Sequence, residues 1–164
     1  MVSEHQSCLL LGSNIQPESN LPHAIDLLQK RLTILRISSV WETSPVGSVG
    51  PNFLNAALLA QTPLDQNTLK LQILTPLEAK MGRLRSADKN AARPIDLDII
   101  LFDRLLLDPT LWHFAHRAVP VAEIHPDIHS EDGETLKEAA VKFLSDGSIR
   151  LRPDVVLLNS RQSH

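Results

Sequence analysis

Ile95-Asp96-Leu97-Asp98-Ile99-Ile100-Leu101-Phe102 is the clearest strand in the chain. It is rich in β-branched and aliphatic side chains, with Pro94 before it and the polar Asp103-Arg104 turn after it, which suits a buried strand of ordinary length. Successive side chains of a strand point to opposite faces. Ile95, Leu97, Ile99 and Leu101 are therefore expected on one face, Asp96 and Asp98 on the other. The two carboxylates would stand roughly 7 Å apart, within reach of a pair of hard cations separated by about 3.5–4 Å. Buried without partners they would be costly, and a divalent metal would supply the partner. A solvated polar face accounts for the same alternation, so this stretch alone leaves both readings open.

The residues just before the strand change the balance. Arg83 to Pro94 follows neither the helical nor the strand period and reads as a loop carrying Arg83, Arg85, Lys89 and Arg93. Arginine is suited to bidentate contact with phosphate oxygens. A basic loop by itself is equally a solvated surface. Beside two carboxylates of metal-ligand type, it makes a site for a magnesium-bound nucleoside triphosphate. The chain has no Gly-x-x-x-x-Gly-Lys-Ser/Thr segment, which excludes a P-loop fold.

Further out, Ser7 to Leu11 reads as a buried first strand, and Leu21, Ile25, Leu28 and Leu32 recur at helical spacing through a helix capped by Asn20, with Pro22 in its first turn, ending near Arg31. Thr33 to Thr43 is expected as one strand, Ser44 to Pro51 as a loop, and Phe53 to Gln61 as another strand. Leu69, Ile73, Leu77 and Met81 define one face of a helix from about Asp65 towards Gly82, which Pro76 should bend or break just before Glu78. A small helix near Val119 to Ile124 and another from about Glu134 to Phe143 complete the pattern. The order β-α-β-β-α-β predicts an α+β fold. The expectation is a ferredoxin-like, three-layer-type sandwich, a mostly antiparallel sheet with flanking helices, in a single domain over 1–164.

Composition sets outer limits. The chain has 164 residues, 43% hydrophobic and 21% charged, as an ordinary globular protein does. Cys8 is the only cysteine, which excludes an internal disulfide and a thiolate zinc cluster and points to a reducing, cytoplasmic setting. The apolar run Cys8 to Leu11 is too short for a signal peptide or a membrane span. A net charge of −3 argues against a broad nucleic-acid surface. His113-x-x-His116, with His125 and His129 nearby, has a zinc-like spacing. Without a His-Glu-x-x-His segment or a cysteine, solvated or hydrogen-bonded histidines are the simpler reading.

Five fragments in order resemble 6-hydroxymethyl-7,8-dihydropterin pyrophosphokinases of folate biosynthesis. They are Leu11-Gly12-Ser13-Asn14, Ser38 to Gly47, Phe53-Leu54-Asn55-Ala56-Ala57, Glu78 with Gly82-Arg83-Leu84-Arg85, and Arg93-Pro94-Ile95-Asp96-Leu97-Asp98-Ile99. The resemblance covers most of the chain up to about Asp103. It implies transfer of the β,γ-diphosphate of ATP to the pterin hydroxymethyl group with release of AMP. Arg83, Arg93, Asp96 and Asp98 would be catalytic, the two aspartates carrying two magnesium ions. Glu78, Arg83, Arg85, Arg93, Ile99, His113 and Arg117 would serve the nucleotide, while Thr43, Val46, Phe53, Asn55 and His116 would line the pterin pocket. The implied partners are ATP and the reduced pterin, with neither nucleic acid nor membrane, and the implied state is a monomer or weak homo-oligomer.

The chain departs from that family in two places. Asn90-Ala91-Ala92 stand where a ring and a glycine usually precede the arginine, and Pro94 follows it. The segment after the acidic strand is several residues shorter, with Leu111-Trp112-His113-Phe114-Ala115-His116-Arg117 in place of the family's basic loop. Either His113 or His116 could replace a nucleotide-binding histidine, and either Phe114 or His116 could supply a second ring against the pterin. A diverged nucleotide- or pterin-binding protein of the same fold, without catalysis, is the alternative.

Overall fold

The structure, a computed structural model, describes residues 3–47, 49–82 and 92–157. Its strands are β1 (His5–Ser13), β2 (Thr33–Ile37), β3 (Trp41–Thr43), β4 (Phe53–Thr62), β5 (Asp96–Phe102), β6 (Leu105–Leu106) and β7 (Arg150–Leu151). Its helices are α1 (Pro17–Gln29), α2 (Gln66–Thr68), a π-helical segment (Leu69–Leu74), α3 (Thr75–Lys80), α4 (Ala115–Ala122) and α5 (Leu136–Asp146). Among the described residues the strands lie in the order β6-β5-β1-β4-β3-β7, with β2 also on β4, and every pairing is antiparallel. No described helix is long and apolar enough to cross a membrane.

Helices cover both faces of this sheet, which explains why β1 is apolar at consecutive positions. Leu9 and Leu11 join Leu54, Leu58, Leu97 and the α1 side chains Leu21, Ile25 and Leu28 in one core. Cys8 and Leu10 join Ala57, Ile100 and the α4–α5 side chains Ala118, Val121 and Leu136 in another. The result is three layers with the sheet in the middle.

Several expected boundaries shift, each for a local reason. Helix α1 begins at Pro17 rather than after Asn20: Gln16 turns the chain in the left-handed region (φ 40°), and Pro17 occupies the first turn, where its missing N–H costs little. Asn20 lies inside the helix and donates from Nδ2 to the Ile15 carbonyl (2.6 Å). The strand expected over Thr33 to Thr43 divides in two. The Ser38 N–H donates to the Ala57 carbonyl, while its hydroxyl accepts from the Ala57 N–H, both at 2.8 Å. A side chain thus replaces a ladder carbonyl, and the strand kinks there.

Pro76 does not break its helix before Glu78. The chain winds as a π-helix over Leu69–Leu74 and resumes as α3, with Pro76 in the first turn, so the wide winding lies just ahead of the residue that cannot donate. In β5 the alternation holds only as far as Ile100. Leu9 pairs with Ile99 and Cys8 with Leu101, leaving Ile100 as the extra residue of a bulge. Leu101 therefore packs in the core opposite Leu97, rather than beside it as expected.

Candidate active site

On the α4–α5 face the register brings separate motifs side by side. Trp41 pairs with Asn55, Asn55 with Gly12 and Gly12 with Asp96, one row across four strands. Along β1 in the same face, Leu10 pairs with Asp98. Gly12 leaves a gap in its row. A Cβ there would stand 3.4 Å from Asn55 Oδ1 and 3.8 Å from Phe53 Cδ1. The gap opens into a cleft of about 170 Å³ lined by Thr43, Val46, Phe53, Asn55 and His116 on one side and Arg93, Asp96, Asp98 and Arg117 on the other.

The first side combines an oriented amide with an aromatic wall. Asn55 is buried, and its Nδ2 donates to Thr43 Oγ1 (2.9 Å) and to the Trp41 carbonyl (3.3 Å). Both amide hydrogens are thereby engaged, which orients Oδ1 as an acceptor beside Gly12. Phe53 supplies an aromatic wall. His116 also lines the cleft, with Phe114 against it at a ring separation of 5.6 Å; Phe114 is not itself a lining residue. Burial above all, helped by the neighbouring Arg117, pushes the His116 imidazole down to about 4 against the opposing pull of Asp108 and Asp96, so the ring is neutral at pH 7.

The second side is charged. Arg93 Nη1 lies 3.1 Å from Asp96 Oδ2, and Arg117 Nη1 lies 3.9 Å from Asp98 Oδ2. Arg93 is fixed through its backbone, whose N–H donates to Asn14 Oδ1 (2.6 Å) while its carbonyl accepts from the Asn14 N–H (3.1 Å). A second cavity of about 350 Å³ adjoins this side and shares Asp98 and Arg117, with Ile99, Leu74 and Leu107 as apolar walls and Lys70 and Asp108 among its polar groups. Asp98 thus stands where two cavities meet.

Two hard oxygen donors on one face suit a magnesium ion, which typically takes one or two carboxylates and completes its shell with water and substrate phosphates. Among the described residues no group of three or more His, Cys, Asp or Glu forms a closed metal cage. The histidines do not converge: His113 is exposed and lines neither of these cavities, while His125 and His129 line a separate one with Arg104 and Trp112. Glu78 also lines neither. It is buried on α3, where Oε2 accepts the Leu97 N–H (3.0 Å) and steadies the strand between the two aspartates. Arg83 and Arg85 lie outside the described residues, as do Lys89, Asn90 and Ala91.

Three site residues had no role assigned from sequence. Gly12 and Asn14 stand in the Leu11-Gly12-Ser13-Asn14 fragment, which is the signal that marks them. Asp108 had only a turn-like Asp-Pro-Thr context, and its Oδ2 lies 2.8 Å from Arg117 Nη1.

Known proteins resemble this chain in sequence and in fold. Residues 8–126 match the family described as 7,8-dihydro-6-hydroxymethylpterin-pyrophosphokinase (HPPK). The chain is 31% identical over 156 residues to the 2-amino-4-hydroxy-6-hydroxymethyldihydropteridine pyrophosphokinase of Pseudomonas aeruginosa, covering 86% of this chain and 93% of that one. It is 33% identical over 135 residues to the enzyme of that name from Bacillus subtilis, covering 75% and 80% respectively. The crystal structure of Plasmodium falciparum HPPK-DHPS wild type with pterin and p-hydroxybenzoate has the same fold, with a TM-score of 0.70 at 13% identity; the match covers 92% of this chain and 47% of that one. The chain thus spans about half the length of that solved chain. Matched through most of its length, the protein belongs to the 7,8-dihydro-6-hydroxymethylpterin-pyrophosphokinase family.

Proposed function

We propose that the protein transfers diphosphate from ATP to 6-hydroxymethyl-7,8-dihydropterin, giving AMP and the pterin diphosphate, as a step of folate synthesis. The carrying observation is the register row in which Asn55, Gly12 and Asp96 stand side by side, so that a slot for a flat polar ring ends at a carboxylate. In this reading Thr43, Val46, Phe53, Asn55 and His116 hold the pterin. Asn55 Oδ1 accepts from the ring's edge, and Phe53 and the neutral His116 pack on its faces.

Asp96 and Asp98 would hold two magnesium ions, whose charge would neutralise phosphate and activate a hydroxyl for attack. The pterin hydroxyl oxygen forms a bond to the β-phosphorus of ATP, the bond from that phosphorus to the α,β-bridging oxygen breaks, AMP leaves, and the hydroxyl proton passes to solvent. Arg93 and Arg117 balance charge on the transferring phosphates, and Ile99 packs on the nucleotide. Glu78 acts from behind β5, while Arg83, Arg85 and His113 belong to the nucleotide side. Catalysis is mainly alignment of hydroxyl and phosphorus with water held out. The setting is cytoplasmic and the active unit a monomer or weak homo-oligomer, with neither nucleic acid nor membrane taking part.

The test is AMP release from ATP and magnesium, with and without the pterin, for the parent and for Asp96→Ala and Asp98→Ala. AMP is expected only with the pterin and only from the parent, with both variants folded by circular dichroism. Near-normal turnover by Asp98→Ala would overturn the metal assignment. A folded parent that binds ATP yet releases no AMP would leave a binding protein of the same fold.

A further inference from the structure

Arg117 stands between two carboxylates, and it is not shared equally. Its Nη1 is 2.8 Å from Asp108 Oδ2 and 3.9 Å from Asp98 Oδ2. Asp108 is anchored independently of the arginine, since its Oδ1 accepts from the Thr110 N–H (2.9 Å) and the Thr110 hydroxyl (2.6 Å) in the turn after β6. It is also the more enclosed partner, its side chain 16% exposed against 43% for Asp98. The segment between β5 and α4 brings this turn and the first turn of α4 together at the cavity that Asp98 shares.

A guanidinium closed on Asp98 would compete with a divalent cation for the same oxygens, because each is satisfied by the lone pairs of the carboxylate. We propose that Asp108 is a positioning residue that holds Arg117 off Asp98, and so limits the competition of that guanidinium with a divalent cation for the Asp98 oxygens. The inference rests on the reading of Asp98 as a metal ligand. Asp108→Asn isolates the effect: it retains the Oδ1 acceptor for Thr110 and replaces only the oxygen that faces Arg117 with an amide that cannot accept.

The experiment is binding of Mn2+ alone, without nucleotide, followed by loss of the free-ion electron paramagnetic resonance signal. Asp98→Asn serves as control, and circular dichroism verifies each variant's fold. Asp108→Asn should raise the half-saturating Mn2+ concentration about tenfold, and Arg117→Gln should not raise it. The double variant should bind like Arg117→Gln, since without the guanidinium there is nothing to hold away. A double variant as weak as Asp108→Asn would reduce Asp108 to a remote negative charge, and parent-like binding by Asp108→Asn would remove its role altogether. Unchanged binding in Asp98→Asn would instead overturn the metal assignment itself.

Discussion

At the scale of single residues the site depends as much on what is missing as on what is present. Gly12 is an ordinary strand residue whose absent side chain makes room between Asn55 and Asp96. His116 is the opposite case, a titratable ring kept neutral by its surroundings. Its unfolded value is near 6.5 and its folded value about 4, so the unfolded chain binds more protons in that window. Stability is then whole above pH 6.5 and falls as pH drops towards 4, by up to about 2–3 kcal/mol from this group. His116→Phe keeps a ring in the cleft and cannot take the proton. Between pH 7 and pH 4.5 its urea-unfolding free energy should fall less than the parent's, and equal falls would show that His116 is not the group responsible. Asp96 and Asp98 were legible in the sequence because a period of two is local. Asp108 was not, because its partner Arg117 is fixed by a turn and a helix start that no local pattern joins.

At the scale of elements the strands and helices were mostly readable, and the departures come from one residue each. The Ser38 hydroxyl splits a strand, the extra Ile100 reverses Leu101, and Pro76 is accommodated by π winding rather than by a break. Hydrophobic period fixes which residues are inside, yet it is blind to a side chain that replaces a ladder bond or to a single bulged position. The reciprocal pair of hydrogen bonds between Asn14 and Arg93 is an element-scale device, since it ties the end of β1 to the approach to β5. Asn14→Ala leaves the Arg93 N–H without that acceptor and should cost about 1–2 kcal/mol of stability. Because Arg93 would also lose its hold beside Asp96, turnover should fall about tenfold or more, with a smaller change in the pterin KM. Steady-state kinetics below the melting range separate the two effects, and a stability loss with unchanged turnover would confine Asn14 to a structural role.

For the whole molecule, the question is how residues near the end of the described chain bear on a cleft assembled from residues before Ala118. β7 adds to β3, and Glu42 in β3 ties the chain around β7 to the sheet: its Oε1 accepts from Arg150 (2.6 Å) and Arg152 (2.9 Å), and its Oε2 from Asn52 Nδ2 (2.9 Å). Asn52 leads these interactions in holding the Glu42 carboxyl down at about 2, followed by Arg150, with desolvation opposing them and Arg152 adding a lesser pull in the same direction. Glu42 adjoins Thr43, whose hydroxyl accepts from Asn55, so the network braces that wall of the cleft from outside. Sequence could not reveal it, because Glu42 and Arg152 are 110 positions apart. A carboxylate with a lowered folded value contributes stability that is complete above its unfolded value near 4.5 and is lost as pH falls towards 2. Glu42→Gln should therefore be less stable than the parent by about 1–3 kcal/mol at pH 7, the lower end applying if solvent screens the arginines strongly. The gap should narrow at pH 3, where the parent is losing the same charge. Urea unfolding of both proteins at the two pH values measures it. A gap of equal size at both would mean that Glu42 acts by shape and neutral hydrogen bonding, and that its charge does not hold the C-terminal strand against the sheet.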